Sequence, residues 1–184
     1  MSRSAKEGTI RRLIQGLYDY PRYSKFLQKE LPPEIDKVAN ALARKYQWSI
    51  VPEGSTASHM LGLDLQVPAH YAFLSSGPTK EYLIQGQKLV FVHRKNSHTM
   101  LKDHFSATLV SAIQSIGKGN LTHLQLHTLS SLQTAAKYKR IVRDTKSVTT
   151  WIHDEIIHIA NIAEGKEGPS KSISPTFEVS ELPY

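Results

Sequence analysis

The chain has 184 residues, 40% of them hydrophobic and 21% charged, which is the balance of a folded domain rather than a disordered segment. No apolar run approaches the roughly 18 residues of a membrane span, and the charged start has no apolar stretch behind it to make a secretory signal. The absence of cysteine excludes disulfides, thiolate metal sites and thiol nucleophiles, and with the missing signal it leads to a cytoplasmic expectation with no membrane partner.

The net charge of +7 is unevenly placed. Basic residues outnumber acidic ones 10 to 5 over residues 1–50 and 7 to 2 over 101–150, whereas residues 151–184 carry 2 against 6. Two basic zones point to an anionic partner such as nucleic acid or an acidic protein.

In chain order, "TIRRL" (9–13) and "LYDY" (17–20) alternate as two strands around "IQG", where Gly16 can supply the positive φ of a tight hairpin, and Pro21 ends the second strand. "LPPEIDKVANALARKY" (31–46) reads as an amphipathic helix. Its prolines suit a helix start, Glu34 and Asp36 suit the first turn, and Ile35, Val38, Ala39 and Leu42 fall at helical spacing. "WSIVP" (48–52) is a short strand and "GSTASHMLGL" (54–63) a short helix with Ser55 as its expected cap and Gly62 as its terminator. "AHYAFLSS" (69–76) is a buried strand, and "KEYLIQGQKLVFVHRK" (80–95) a hairpin turning at Gln85 and Gly86.

From Phe105 the period changes to that of helices. "FSATLVSAIQSIG" stops at Gly117, and "LTHLQLHTLSSLQ", "TAAKYKRIVRDT" and "VTTWIHDEIIHIANIAE" follow. Beyond Glu164 the Gly, Ser and Pro content without a period reads as a loose tail. The fold class expected is therefore α+β, a hairpin and a mixed sheet-and-helix domain with a helical C-terminal third.

Candidate chemistry is sparse. "HDEIIH" separates His153 and His158 by five residues, about 140° around a helix, so the two cannot share a metal as an i, i+4 pair does. Trp151, Ile152, Ile156, Ile159 and Ala163 make that helix a core-packing one. His123 and His127 do have i, i+4 spacing, but no Asp, Glu or Cys lies near them in sequence, and they read as surface or half-buried histidines. No G-x-S-x-G, G-x-G-x-x-G or G-x-x-x-x-G-K-[ST] pattern is present, and Glu53 and Asp64 form no recognisable acid/base pair. No catalytic residue, metal ligand or cofactor is assigned, and an enzyme acting on nucleic acid is the weakest reading.

The basic segments carry more. Lys137, Lys139, Arg140, Arg143 and Lys146 gather on one helical stretch, either as a solvated face or as a phosphate-binding one. Arg11 and Arg12, as strand neighbours, point to opposite faces, so one can touch a phosphate while the other supports the fold. Arg22 follows the hairpin and joins the same nucleic-acid set.

The ordered set "EGTIRRLIQGLYDYPR", "GSTASHMLGLDLQVPAHYAFLSSGP" and "KLVFVHRK", spanning roughly residues 5–160, resembles the AbiEi-like antitoxins of bacterial type IV toxin–antitoxin systems. The resemblance implies an N-terminal winged helix-turn-helix on operator DNA and a C-terminal domain acting against a nucleotidyltransferase-like toxin encoded beside it. It implies that "TIRRLIQGLYDYP" is the wing and "SRSAKEG" the end of a recognition helix, with the rest of the helix-turn-helix not in this sequence. The expectation is a wing remnant at 1–28, an antitoxin domain at 29–163 and a flexible tail at 164–184. Operator binding would then depend on upstream helices, and the hairpin would fray or be covered by a partner, since Leu17 and Tyr18 would lack the helices they pack on. The expected function is an antitoxin and transcriptional regulator that binds rather than catalyses; the alternative is a stand-alone DNA-binding regulator with no toxin partner.

Overall fold

A computed structural model of the chain describes residues 10–94, 101 and 103–166. The expected helix remnant "SRSAKEG" and all of the expected tail beyond Lys166 lie outside the described residues.

The described residues open with two small antiparallel hairpins, β1 (Arg11–Ile14) with β2 (Leu17–Asp19), and β3 (Tyr23–Ser24) with β4 (Lys29–Glu30). Gly16 has φ +75° as the first turn requires, and an irregularity between Arg12 and Ile14 lets Leu13 and Ile14 both reach the interior. Helix α1 (Ile35–Tyr46) starts after Pro32 and Pro33 and buries Ile35, Val38, Ala39, Leu42 and Ala43 along one stripe. It ends at Gln47, whose φ of 57° reverses the chain so that the Trp48 N–H bonds to the Ala43 carbonyl at 2.8 Å.

Next come β5 (Ile50–Pro52), α2 (Gly54–Met60), β6 (His70–Ser75), β7 (Lys80–Ile84) and β8 (Gln87–His93). The sheet order is β5-β6-β8-β7, with β6 and β8 parallel and the two outer pairs antiparallel. Gln85 and Gly86, at φ 49° and 85°, close the β7–β8 hairpin as two-residue turns do. Ser55 does not cap α2; Glu53 occupies that position and makes no side-chain capping bond. Gly62 terminates it as expected: at φ +71° its N–H reaches the His59 carbonyl at 3.0 Å and the Leu63 N–H reaches that of Ser58 at 2.9 Å.

Four helices follow: α3 (His104–Ile116), α4 (His123–Ser131), α5 (Ala135–Asp144) and α6 (Thr150–Ala163). Three carry side-chain caps, from Asp103, Thr122 and Thr134, and α4 has a full capping box with Gln125.

The interior divides into two clusters. One joins α1 to Ile50, Phe73, Ile84, Leu89 and Phe91 of the sheet. The other joins Ala57 and Leu61 to the inner faces of α3–α6, with Tyr138, Leu129 and Ile156 at its centre. Element β5–α2 links the two, through Thr56 Oγ1 accepting from the Ala72 N–H at 2.9 Å and the Gly54 N–H bonding Ser111 Oγ at 3.2 Å. The four-helix part answers the "HDEIIH" question. His153 turns toward Thr145 Oγ1, 3.2 Å from its Nδ1, and His158 lies 3.9 Å from Glu155 on its own helix.

The opening hairpin is not left without packing. Leu13, Ile14 and Leu17 rest on the α1–sheet cluster, and Lys45 Nζ donates to the Gln15 carbonyl at 3.3 Å. Among the described residues, α1 and the sheet supply apolar surface on which this hairpin rests, and strands β3 and β4 continue the chain to Glu30.

Candidate nucleic-acid interface

The two adjacent arginines of β1 are sorted by cross-strand pairing. Arg11 stands opposite Asp19 and bonds it with both arms of its guanidinium, Nε to Oδ1 at 3.0 Å and Nη2 to Oδ2 at 2.7 Å. Its remaining nitrogen donates to the Leu31 carbonyl at 3.1 Å and lies 3.6 Å from Glu30. With its side chain only 16% exposed, Arg11 fastens the first hairpin to the second, and the hydrogen bond to Asp19 raises its pKa above the ordinary value against the cost of burial. Arg12 stands opposite Tyr18, and both side chains are exposed.

Residues that the sequence pattern did not single out are exposed in the second hairpin as well. The tip of the second hairpin presents Lys25, Phe26 and Leu27, with Phe26 at 94% exposure, and Tyr20 and Tyr23 stand at 76% and 62%. Lys29 lies exposed on β4. Among the described residues no ion pair involves Arg12, Lys25 or Lys29. Arg22 is exposed but paired with Glu34, which also holds Lys37 at 2.7 Å. The Lys37 hydrogen bond is the main reason that the Glu34 carboxyl titrates below its ordinary range.

A groove of about 310 Å³ runs between the first hairpin and α1. Leu13, Leu17, Val38 and Ala41 line its apolar part, and its charged lining pairs Arg11 with Asp19, and Arg22 and Lys37 with Glu34, leaving Arg44 outside the ion pairs of the described residues.

The second basic zone is divided. Lys137 Nζ is committed to Asp103 at 2.7 Å, tying α5 to the cap of α3, and Lys139 lies 3.4 Å from Glu164. Burial pushes the Asp103 carboxyl up, but its bonds to Lys137 and Ser106 together bring it below the ordinary range. Arg140, Arg143 and Lys146 are exposed and enter no ion pair among the described residues, with Lys146 just past the helix end.

What was missed in "YDYPRYSKFLQK" had a signal: four aromatic residues within positions 18–26 at no helical or strand period, interleaved with cations. Two-residue strands are too short for alternation to show.

Fold and face together define an α+β protein with a basic, aromatic-bearing edge built from its first two hairpins. The chain belongs to a family of unknown function (DUF6088), whose profile matches residues 1–141 and so includes the whole of that edge. No curated protein and no solved structure matches the chain. Among the described residues no helix is long and apolar enough to cross a membrane, and no group of three or more His, Cys, Asp or Glu is placed to hold a metal.

Proposed function

We propose that the protein is a DNA-binding regulator that acts as the antitoxin of a toxin–antitoxin pair, working by binding and not by catalysis. The observation that carries the DNA part is the N-terminal edge, where Arg12, Lys25 and Lys29 are exposed and outside the ion pairs of the described residues, beside Tyr20, Tyr23 and Phe26. Cations of this kind bind the phosphate backbone and position a protein on it without reading sequence. Arg11, Arg22 and Lys137, three of the contacts expected from sequence, serve first as internal fasteners, and Arg12 is the opening arginine offered to phosphate.

The antitoxin part rests on the resemblance set out from the sequence, and the helical half with its exposed Arg140, Arg143 and Lys146 is the surface we assign to an acidic partner. The test is growth of a bacterial host expressing the neighbouring reading frame, with and without this chain from a separate promoter. Rescue is the expected result. A toxic neighbour that this chain fails to rescue would remove the antitoxin reading and leave the stand-alone regulator.

A further inference from the structure

Helix α4 places His123 and His127 on one exposed face, their Nε2 atoms 3.1 Å apart and their ring centroids 4.3 Å apart. The helix beneath them is held firmly. The Thr122–Gln125 capping box fixes the first turn, and Leu126, Leu129 and Ser130 are buried below. The buried Tyr138 hydroxyl donates to the Leu129 carbonyl, and Gln125 donates to the Leu63 carbonyl at 3.3 Å. The two imidazoles therefore stand on a platform anchored from three sides.

We propose that His123 and His127 form a bidentate site for a divalent transition-metal ion of the kind that prefers imidazole, such as Zn(II) or Ni(II). Two nitrogens 3.1 Å apart, each about 2.05 Å from a zinc ion, subtend about 98° at the metal, between the octahedral and tetrahedral angles. The nitrogens already sit at chelating separation. In the free protein the short contact is a hydrogen bond in which one Nε2–H faces the other ring's lone pair. On metal binding the donating ring moves that proton to its Nδ1, and both Nε2 lone pairs turn to the ion. Helix α4 carries no Asp, Glu, Lys or Arg, so neither a carboxylate nor a cation of its own helix competes there. The positive end of the helix dipole opposes the ion modestly, since His123 is in the first turn. With two protein ligands the remaining coordination positions are left to water.

The test is titration of the tag-free, full-length protein with Ni(II) by calorimetry, with paramagnetic broadening in NMR spectra to locate the ion. One equivalent should bind, with broadening centred on His123 and His127, and H123A or H127A should each weaken binding roughly tenfold or more because the chelate is lost. A second variant, H127A with T128H, keeps two histidines on the helix but spaces them by five, and it should bind no better than H127A. Saturating metal should also raise the melting temperature of the wild type and leave that of H127A unmoved. Binding that survives in the double variant H123A/H127A, broadening centred elsewhere, or no saturable binding would overturn the site.

Discussion

Replacing Arg11 with alanine should destabilise the protein, whereas the same change at Arg12, its immediate neighbour, should not. Arg11 makes a two-armed bond to Asp19 at 2.7 and 3.0 Å and a third bond to the Leu31 carbonyl, with side-chain exposures of 16% and 22% for the pair. Fully exposed ion pairs contribute about 0–1 kcal/mol and hydrogen bonds to charged groups about 1.5–3 kcal/mol. A partly buried, two-armed pair with an extra carbonyl acceptor belongs in the lower part of the second range, at about 2 kcal/mol, or a drop in melting temperature of about 4–8 °C at this chain length. Arg12 makes only a long 3.5 Å contact to the Ile14 carbonyl, and R12A should stay within about 0.5 kcal/mol of the wild type. The assay is urea unfolding of the two variants and of D19A, with the R11A/D19A double variant closing the cycle, where a coupling of about 1 kcal/mol is expected. If R11A kept wild-type stability, or if R11A and R12A fell together, the sorting of the two arginines into a fastener and a contact residue would be refuted.

Other outcomes follow from single features of the fold. Gly77 lies against Trp48 so closely that a Cβ would come within 2.3 Å of the indole, and G77A should cost about 1–3 kcal/mol by urea unfolding with the aromatic near-ultraviolet signal altered. Y138F, which removes the buried hydroxyl bonded to the Leu129 carbonyl, should cost about 1 kcal/mol without changing the secondary structure measured by circular dichroism. Asp103 titrates below its ordinary value in the folded state, so its contribution is complete above the ordinary Asp range near pH 3.9 and is lost as pH falls through that range and below. Unfolding free energies between pH 3 and pH 6 should therefore converge for wild type and D103N toward the acid end; parallel curves would contradict the Lys137–Asp103 assignment.

The parts of the fold that follow a local rule were legible in the sequence. The α1 stripe, the Gly16, Gln85–Gly86 and Gly62 turns, and the helical C-terminal part all depend on periodicity or on residues that tolerate positive φ. Nothing in the strand patterns revealed that β8 inserts between β6 and β7, because that order is set by the crossover at residues 76–79. There His93 Nδ1 meets the Gly77 carbonyl at 2.8 Å and Thr79 Oγ1 accepts from the His93 N–H at 3.0 Å. At the candidate interface the alternation rule separated Arg11 from Arg12 but could not say which faced inward. Cross-strand Asp19 decides it, and a partner eight residues away is visible only once the hairpin register is known. Lys25, Phe26 and Lys29 escaped for a related reason: β3 and β4 are held by a pair of residues each and by the Leu31 N–H to Arg22 carbonyl bond at 2.7 Å, too little for a sequence pattern. For Lys137 and Lys139, a helical run of cations gives no sign that Asp103 and Glu164 reach it from other elements.

The most direct measurement is fluorescence anisotropy of labelled duplex DNA titrated with the protein between 50 and 200 mM salt, comparing the wild type with the R12A/K25A/K29A variant and with F26A. If the N-terminal edge grips the phosphate backbone, the slope of log K against log salt should fall by about 0.9 for each phosphate contact removed, up to about 2.7 for the triple variant. F26A removes no charge and should leave the slope in place. A triple variant that matched the wild type in both affinity and slope, or a wild-type protein that did not bind DNA at 50 mM salt, would contradict the assignment.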